Sequence, residues 1–368
     1  MKRLALTMCV PAWIGLCLLL LAEPAQAAAC TAATDKCSEL LPVAGGPARL
    51  LVYRTHPLDV RNDAVVRGLV VIHGLGRDAH SYFRHGVAGA FLAGALEDTV
   101  VVSLRFASNS GGPSRDAVAP SELTWQCQPR NDTWRTGGAA ADNAQVTSFD
   151  AADEVLRALA RKGVFPNLKA IIMAGHSAGG QFVSRYAMAN QTHEQLGVPV
   201  MYVVANPSSY AYLDATRPTA SAIPANVAAG APWYTAVAPA TPLAPFVPYP
   251  DAQNCSGYDS WPYGLRGRNG YSAKLPDDQL KTQLAGRPVF YLLGELDILP
   301  LYGFDSSCAA MAQGPTRLAR GLAYARYVTD TLRGPQHKAV VVPACGHNGR
   351  CMFTAEVALP LLFPKNGP

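Results

Sequence analysis

The 368-residue sequence lacks the patterns that several classes of protein require. Its basic residues are scattered, with no run of five or more, although the formal net charge is +5. We therefore expect no nucleic-acid partner and no basic patch for anionic membranes. The sequence also has no Cys-x-x-Cys pair and no His-Glu-x-x-His motif, so its cysteine and histidine spacings match no zinc site.

A long apolar run occurs at the start of the chain. Two basic residues precede a nearly continuous apolar stretch, Leu4 to Leu21, and Ala25-Gln26-Ala27 follows it. This pattern predicts a secretory signal peptide, residues 1–27, and hence a secreted or periplasmic protein without stable membrane insertion after cleavage. A retained membrane anchor is one alternative, although Pro11 interrupts the run. A lipid anchor on Cys30 is another.

Cysteine is more frequent than a cytosolic enzyme would require. Seven cysteines follow the signal peptide, and in an oxidising compartment they indicate disulfides. They are Cys30, Cys37, Cys127, Cys255, Cys308, Cys345 and Cys351. The odd number leaves one thiol over, and the sequence does not determine the connectivity.

Short apolar, β-branched runs alternate with helical patterns along the chain. Predicted strands cover Arg49–Arg54, Leu69–Ile72, Thr99–Phe106, Lys169–Ala174, Pro199–Ala205, Pro288–Leu293 and Lys338–Val342. Predicted helices cover Tyr82–Leu96, Ser148–Lys162, Ala178–Gln191 and Leu318–Leu332. Such alternation predicts an α/β fold with a mostly parallel sheet and helices on both faces.

Residues 206–285 interrupt this alternation. They are rich in proline and aromatic residues, and a loop of this length inside a compact domain usually has a function. We predict one domain, residues 28–368, with an ordered cap at about 206–285 over a cleft. A second irregular stretch, residues 107–143, could form another wall of that cleft.

The sequence Gly175-His176-Ser177-Ala178-Gly179 lies between a predicted strand and a predicted helix. A strand–turn–helix with this spacing is typical of a nucleophile elbow, in which Ser177 is held at a sharp bend. Small neighbours allow the backbone to double back, and the helix N-terminus directs amide dipoles at the serine oxygen. The alternative is an ordinary turn serine.

A serine nucleophile needs a base and an acid. His347 follows the last predicted strand, and Asp297 follows the strand before it, which gives the chain order Ser, Asp, His. Glu295 and Asp305 are rival candidates for the acid. The sequence therefore predicts Ser177, Asp297 and His347 as catalytic residues.

The remaining requirement is a pair of donors for an oxyanion. The backbone N–H of Ala178 follows the nucleophile, and that of Leu75 lies in the His-Gly-Leu-Gly-Arg loop after an early strand. His73 is expected to brace this loop. No metal or organic cofactor is needed for this chemistry.

The order of "HGLGR", "AGHSAGG", "LLGELD" and "CGHNG" resembles the α/β-hydrolase fold superfamily. The resemblance extends from about Arg49 to the C-terminus and implies a sheet of about eight strands with the catalytic loops at one edge. "HGLGR" departs from the HGGG type of some esterases. The export signal and aromatic cap are loosely similar to those of secreted esterases and polyester depolymerases.

The expected function is therefore an exported serine hydrolase that cleaves small-molecule or polymeric carboxylic esters. A peptidase or amidase on the same fold, and a catalytically silent binding protein, are the alternatives.

Three disulfides are also hypothesised. They are Cys308 with Cys345 or Cys351, Cys127 with Cys255, and Cys30 with Cys37.

Overall fold

The computed structural model describes residues 28–110, 117–127, 133–222 and 245–365; the predicted signal peptide, residues 1–27, lies outside them. The strands of these residues are β1 (Ser38–Pro42), β2 (Arg49–Arg54), β3 (Arg67–Ile72), β4 (Thr99–Leu104), β5 (Ala107–Ser108), β6 (Thr124–Trp125), β7 (Ala170–His176), β8 (Val200–Ala205), β9 (Thr216–Pro218), β10 (Phe246–Pro248), β11 (Val289–Gly294) and β12 (His337–Val342).

The α-helices of the same residues are α1 (Ala79–Leu92), α2 (Ser148–Leu159), α3 (Ala178–Ala189), α4 (Asp277–Gly286), α5 (Cys308–Met311), α6 (Arg317–Asp330), α7 (Gly349–Thr354) and α8 (Leu359–Leu362). Short 3-10 helices cover Asp35–Cys37, Thr133–Thr136, His193–Gln195, Ala220–Ala222, Ala252–Asn254 and Gly270–Lys274.

Eight strands form one sheet in the order β1-β2-β4-β3-β7-β8-β11-β12. Strand β2 is antiparallel to both neighbours, and the pairs from β4 to β12 are parallel. Every residue of the central strands β3, β4, β7 and β8 is buried, which explains their continuous apolar sequences. The predicted α/β-hydrolase fold with a mostly parallel sheet is confirmed.

Two hydrophobic clusters cover the two faces of this sheet. Because side chains alternate along a strand, Val70 and Ile72 face one cluster, whereas Leu69 and Val71 face the other. Helices α2, α3 and α6 pack on the first face, and α1, α7 and α8 pack on the second. The parallel strands therefore end at one edge of a core that is covered on both sides.

The seven predicted strands and four predicted helices are present, with ends shifted by at most four residues. Strand β1 was not predicted, because Ser38–Pro42 is a short edge strand that includes a proline and two exposed residues. Helix α4 was not predicted either, because it buries only Leu280 and Leu284 and so has little apolar periodicity.

The disulfides correct part of the sequence prediction. Cys30 pairs with Cys37, as hypothesised, and this bond occupies the sulfur that a lipid anchor would need. Cys308 pairs with Cys255, however, and Cys345 pairs with Cys351, across Cα separations of 5.8 and 5.9 Å. The hypotheses of a bond from Cys308 to Cys345 or Cys351, and of Cys127 with Cys255, were wrong.

Local geometry explains these differences. Cys345 and Cys351 lie six residues apart, and the turn into α7 folds the chain back between them. Cys255 instead connects the 206–285 segment to the first residue of α5. Cys127 is a free cysteine.

Candidate active site

Ser177 occupies the bend between β7 and α3. Its backbone angles, φ 59° and ψ −118°, lie in a region that non-glycine residues rarely adopt. The Ser177 N–H donates to Ala205 O at the end of β8, and Ser177 O accepts from Gln181 N–H in the first turn of α3. The sheet and the helix thus hold the strained residue from both sides.

The glycines around Ser177 are required by close backbone contacts. A Cβ atom at Gly179 would lie 2.6 Å from the carbonyl oxygen of His73 and closer still to that of Ile72. A Cβ at Gly180 would lie 2.5 Å from Ala205 O, and one at Gly175 would overlap the backbone of Gly179. Helix α3 therefore begins directly against the sheet.

The structure brings the three predicted catalytic side chains together. His347 Nε2 lies 2.9 Å from Ser177 Oγ, and His347 Nδ1 lies 2.7 Å from Asp297 Oδ2. Both contacts have hydrogen-bond length, so the imidazole connects the hydroxyl to the carboxylate. Asp297 is 2% exposed, which shields its negative charge from water.

The rival acids are engaged elsewhere. Glu295 accepts a hydrogen bond from Ala344 N–H at 2.8 Å. Asp305 accepts from the Tyr263 hydroxyl at 2.7 Å and from Ser307 N–H at 3.0 Å. Of the three candidates, only Asp297 has a hydrogen bond to His347 among the described residues.

Arg317 completes the surroundings of Asp297 and was missed at the sequence level. Its Nη1 atom donates to Asp297 Oδ1 at 3.2 Å, and its Nε atom donates to Ser208 Oγ at 2.8 Å. Burial lowers the pKa of Arg317, while the neighbouring Asp297 carboxylate opposes that shift. The only signal in the sequence was an arginine directly before a predicted helix, and such a residue more often faces solvent.

Asn206 connects the acid loop to the base loop. Its side-chain oxygen accepts from Gly294 N–H at 2.7 Å, and its Nδ2 donates to Gly346 O at 3.2 Å. Asn206 has φ 46°, a backbone conformation that asparagine tolerates better than most residues. It lies directly after β8, so one side chain fixes the ends of β11 and of the loop after β12.

A second histidine packs against the first. The rings of His176 and His347 lie 4.7 Å apart, and His176 Nδ1 lies 2.8 Å from the Tyr82 hydroxyl. Burial, followed by the neighbouring His347, holds the pKa of His176 well below its usual value. A neutral His176 can lie beside a charged His347 without strong repulsion.

Two side chains brace the loop that contains Leu75. His73 Nε2 accepts from Phe106 N–H at 3.0 Å, so His73 Nδ1 carries the proton and donates to Gly74 O at 2.8 Å. Burial lowers the pKa of His73 to about 3, so this ring is neutral. The buried Arg77 guanidinium donates to carbonyl oxygens of Ala107 and Trp125 at 2.9 and 3.1 Å.

The predicted oxyanion donors are the backbone N–H groups of Leu75 and Ala178. Leu75 occupies the turn closed by the 3.1 Å hydrogen bond from Arg77 N–H to Gly74 O, and Ala178 is the first residue of α3. Within the described residues, neither the Leu75 N–H nor the Ala178 N–H has a hydrogen-bond acceptor. Both amides are therefore available to a ligand.

A family model described as the alpha/beta hydrolase family matches residues 69–358, which include all of these positions. The chain belongs to the alpha/beta hydrolase family. No curated protein matches the sequence.

Solved structures of similar fold include other hydrolases. LpqC, a poly(3-hydroxybutyrate) depolymerase from Bordetella parapertussis, is 22% identical, with a TM-score of 0.56 over 88% of this chain and 86% of that one. Poly(aspartic acid) hydrolase-1 from Sphingomonas sp. KT-1 is 20% identical, with a TM-score of 0.53 over 89% of this chain and 97% of that one. At these identities the likeness establishes the fold.

Two concave regions lie on the active-site side of this α/β-hydrolase. An open groove of about 670 Å³ contains Ser177 and His347, and a more enclosed cavity of about 640 Å³ adjoins it at Leu75. Leu75 lines both of them. Ser209, Pro262 and Tyr263 of the predicted cap, residues 206–285, contribute to the wall of the cavity.

Among the described residues of this α/β-hydrolase, no group of three or more histidine, cysteine or acidic side chains could hold a metal ion. No described helix has both the length and the apolar character needed to cross a membrane.

Proposed function

We propose that this α/β-hydrolase is an exported serine hydrolase that cleaves carboxylic esters through an acyl-enzyme. The observation that carries the proposal is the continuous contact from Ser177 through His347 to Asp297, at 2.9 and 2.7 Å. A base within hydrogen-bond distance of the serine, and an acid that orients the base, are what nucleophilic activation requires.

In the proposed reaction, Ser177 Oγ attacks the ester carbonyl carbon while His347 Nε2 accepts the serine proton. His347 then gives this proton to the leaving alcohol, and the acyl group remains on Ser177. A water molecule attacks the acyl-enzyme with His347 again as the base, which releases the carboxylic acid. Asp297 keeps the proton on His347 Nδ1 and stabilises the imidazolium.

The tetrahedral intermediates carry a negative oxygen. We assign its stabilisation to the Leu75 and Ala178 amides, because both lack an acceptor within the described residues and both adjoin Ser177. The N-terminal end of α3 adds a favourable dipole at the same position. Loss of one such donor typically lowers the rate by about 10²–10³.

Esters are proposed over amides because an alcohol is a better leaving group than an amine. The substrate is a small-molecule or polymeric ester, and the described parts of the predicted cap, residues 206–222 and 245–285, contribute to its binding site. LpqC acts on a polyester, whereas poly(aspartic acid) hydrolase-1 acts on poly(aspartic acid). The comparison of an ester with an amide is therefore part of the test.

Export is proposed from the signal sequence and from the disulfides. Three disulfides in the described residues are typical of an oxidising compartment. Expression with the native leader is expected to yield an exported protein whose intact mass corresponds to a chain that begins at Ala28. Recovery of the exported protein with residues 1–27 still attached would contradict this part of the proposal.

The first test is covalent labelling with a fluorophosphonate, followed by hydrolysis of a nitrophenyl ester and of the matched anilide. The wild type should be labelled at Ser177, and Ser177→Ala should lose both labelling and at least about 10³-fold in kcat/KM. Ser256→Ala, at an exposed serine, is the matched control and should leave both unchanged.

The other outcomes identify the alternatives. Faster hydrolysis of the anilide indicates an amidase, and absence of labelling in a folded wild type indicates a silent binding protein. Substantial ester hydrolysis by purified Ser177→Ala would overturn the mechanism.

A further inference from the structure

The more enclosed cavity, which adjoins the Ser177 groove at Leu75, has a cationic floor that the proposed ester chemistry does not use. Its lining includes two arginines, Arg135 and Arg185, together with Gln181. Gln181 and Arg185 lie one and two turns after Ser177 on α3, so the helix that supplies an oxyanion donor also supplies this floor.

Arg185 is buried, and its hydrogen-bond partners are neutral. It is 1% exposed, and its guanidinium donates to Pro262 O at 3.2 Å, Ser209 Oγ at 3.3 Å and Gln181 Oε1 at 3.5 Å. No carboxylate of the described residues forms an ion pair with it. A buried guanidinium is normally paired with an anion, because removing its charge from water is costly.

None of the carboxylates described around the cavity is hydrogen-bonded to Arg185. Arg135 Nη1 donates to the same Gln181 oxygen at 2.9 Å, so one neutral amide lies between two cations. Asp305 also lines the cavity and its negative charge favours the charged form of Arg185, but its oxygens accept from the Tyr263 hydroxyl and Ser307 N–H rather than from the guanidinium. Burial, and then the Arg135 charge, lower the pKa of Arg185 to about 9, against the opposing effect of Asp305, so the Arg185 guanidinium remains charged at neutral pH.

The geometry favours a ligand group several bonds away from Ser177. Eight residues separate Ser177 from Arg185, which corresponds to about 12 Å along a helix, and helical side chains lean toward the N-terminus. A carboxylate near Arg185 would therefore lie several bonds from a carbonyl at Ser177. Leu75 lines both the groove and the cavity, so the two regions meet at this residue.

We propose that this cavity binds a free carboxylate of the ester substrate through Arg185 and Arg135, so that the preferred substrates are half-esters of dicarboxylic acids or acid-terminated oligomers of hydroxy acids. This inference rests on the proposed function, because it assigns the substrate class of the same site. The substrate carboxylate supplies the direct ion pair that Arg185 lacks among the described residues. The length of the chain between carboxylate and ester selects which carbonyl reaches Ser177.

The test compares carboxylate esters with neutral esters of equal length. One arm places the carboxylate on the acyl side, as mono-4-nitrophenyl esters of adipic to sebacic acid. The other places it on the alcohol side, as butyrate esters of ω-hydroxyalkanoic acids. Each compound is paired with its terminal primary amide, and kcat/KM is measured for every pair with the full mature enzyme.

The wild type should prefer the carboxylate over the amide by about 10–100-fold in at least one arm, because hydrogen bonds to a charged group contribute this much. The preference should reach a maximum at an intermediate chain length. Equal kcat/KM for carboxylate and amide in both arms would overturn the inference, and this result needs no variant.

Variants then locate the preference. Arg185→Gln should lose most of this preference while it still hydrolyses the esters that carry a terminal primary amide. Arg135→Gln should lose part of the preference. Arg84→Gln removes the same charge from an exposed position on α1 and should retain the full preference. If Arg185→Gln fails to fold, Arg135→Gln and the wild-type comparison still decide.

The two proposals fail in different ways. If neither the carboxylate-ended esters nor the amide-ended esters are hydrolysed, the proposed ester hydrolase is wrong. If both are hydrolysed equally, the hydrolase stands and the carboxylate site is wrong. A preference that survives in Arg185→Gln and in Arg135→Gln would place the carboxylate elsewhere and would also refute this assignment.

Discussion

The backbone N–H and C=O groups of the sheet core and of the described parts of the 206–285 segment find hydrogen-bond partners in different ways. In the core, parallel strands pair from β4 to β12 and the adjoining helices bond internally, so side chains there can be apolar. The described parts of the 206–285 segment contain a pair of three-residue strands, short 3-10 turns and most of α4. An irregular chain of this kind needs other donors for its buried carbonyl groups.

Arginine supplies those donors. Arg217, 1% exposed, donates to the carbonyl oxygens of Asp214 at 3.2 Å and Tyr263 at 3.3 Å, and also to those of Thr216 and Tyr258. Arg268 donates to Ser272 O, Leu265 O and Leu275 O at 2.9–3.1 Å. A guanidinium has five N–H donors in a rigid fork, so one side chain can hold several strands of irregular backbone.

Because the sheet core is closely packed, we expect a larger side chain at its tightest contacts to lower the stability of the fold by steric overlap. Gly179→Ala would place a methyl group 2.6 Å from His73 O, closer still to Ile72 O, and neither carbonyl can move without displacing β3. We expect a loss of at least about 4 kcal/mol in the free energy of unfolding, enough to abolish soluble, active enzyme. Urea unfolding and esterase activity measure this effect.

Gly163→Ala is the matched control, because nothing lies within 4 Å of a Cβ at Gly163 and its φ is not positive. It should stay within about 0.5 kcal/mol of the wild type. Equal stability of Gly179→Ala and Gly163→Ala would show that α3 can move away from the sheet.

The same contrast explains what the sequence could predict. Strands β3, β4, β7 and β8 are buried along their whole length, so hydrophobic runs indicated them directly. The elbow was predicted because glycines at fixed spacing around Ser177 have a steric reason. The contact of Ser177, Asp297 and His347 was predicted from chain order, since the carboxyl ends of parallel strands meet at one edge.

What the sequence did not reveal depends on long-range side-chain geometry. Arg317 and Asn206 look like an ordinary helix residue and an ordinary loop residue until the fold places them beside Asp297 and Gly346. Disulfide partners are equally a matter of distance in space, and Cys255 lies 53 residues from Cys308. Contacts between arginines and carbonyl oxygens leave no periodicity in the sequence, so the structure of the described parts of the 206–285 segment could not be predicted.

The Cys255–Cys308 bond should matter more to the irregular segment than to the sheet. It closes a loop of 53 residues, and its removal in a Cys255→Ser/Cys308→Ser variant should cost about 2–4 kcal/mol by the loop-closure argument. Amide hydrogen exchange should rise within residues 245–285 while β3 and β7 stay protected. Thermal unfolding and exchange mass spectrometry report the two effects.

A Cys30→Ser/Cys37→Ser variant removes a bond that closes a loop of only seven residues and should therefore lose less stability. If both variants lose the same stability, or if exchange rises equally across the sheet, the 206–285 segment is not held by this bond in the way proposed here.

Asp153 links the sheet core to the 206–285 segment. Its substitution should have a smaller effect than those at Gly179 and at Cys255 with Cys308. It lies on the core helix α2, and its carboxylate accepts from the hydroxyl of Tyr186 on α3 at 2.6 Å and from that of Tyr271 in the 206–285 segment at 2.8 Å. Burial raises its pKa from 3.8 to about 6, against the opposing effect of these hydroxyl groups.

A raised pKa means that the folded state binds the proton more tightly than the unfolded chain. The contribution of Asp153 to stability is therefore fully present below about pH 4 and is lost as the pH rises through about 6, by roughly 2–3 kcal/mol. Asp153→Asn should flatten this part of the stability profile, measured by urea unfolding between pH 4 and pH 7. Contributions of the buried histidines cancel in the comparison with the wild type.

The exposed Asp278 provides the control, since Asp278→Asn should leave the pH dependence unchanged. An Asp153→Asn profile that still falls between pH 4 and pH 6 would mean that the carboxylate is not the group responsible. If the stability profile of Asp153→Asn flattens but hydrogen exchange at Tyr271 is unchanged, the charge of Asp153 sets the pH dependence without holding Tyr271 in place. In that case the irregular segment would depend on its arginines and its disulfide rather than on this carboxylate.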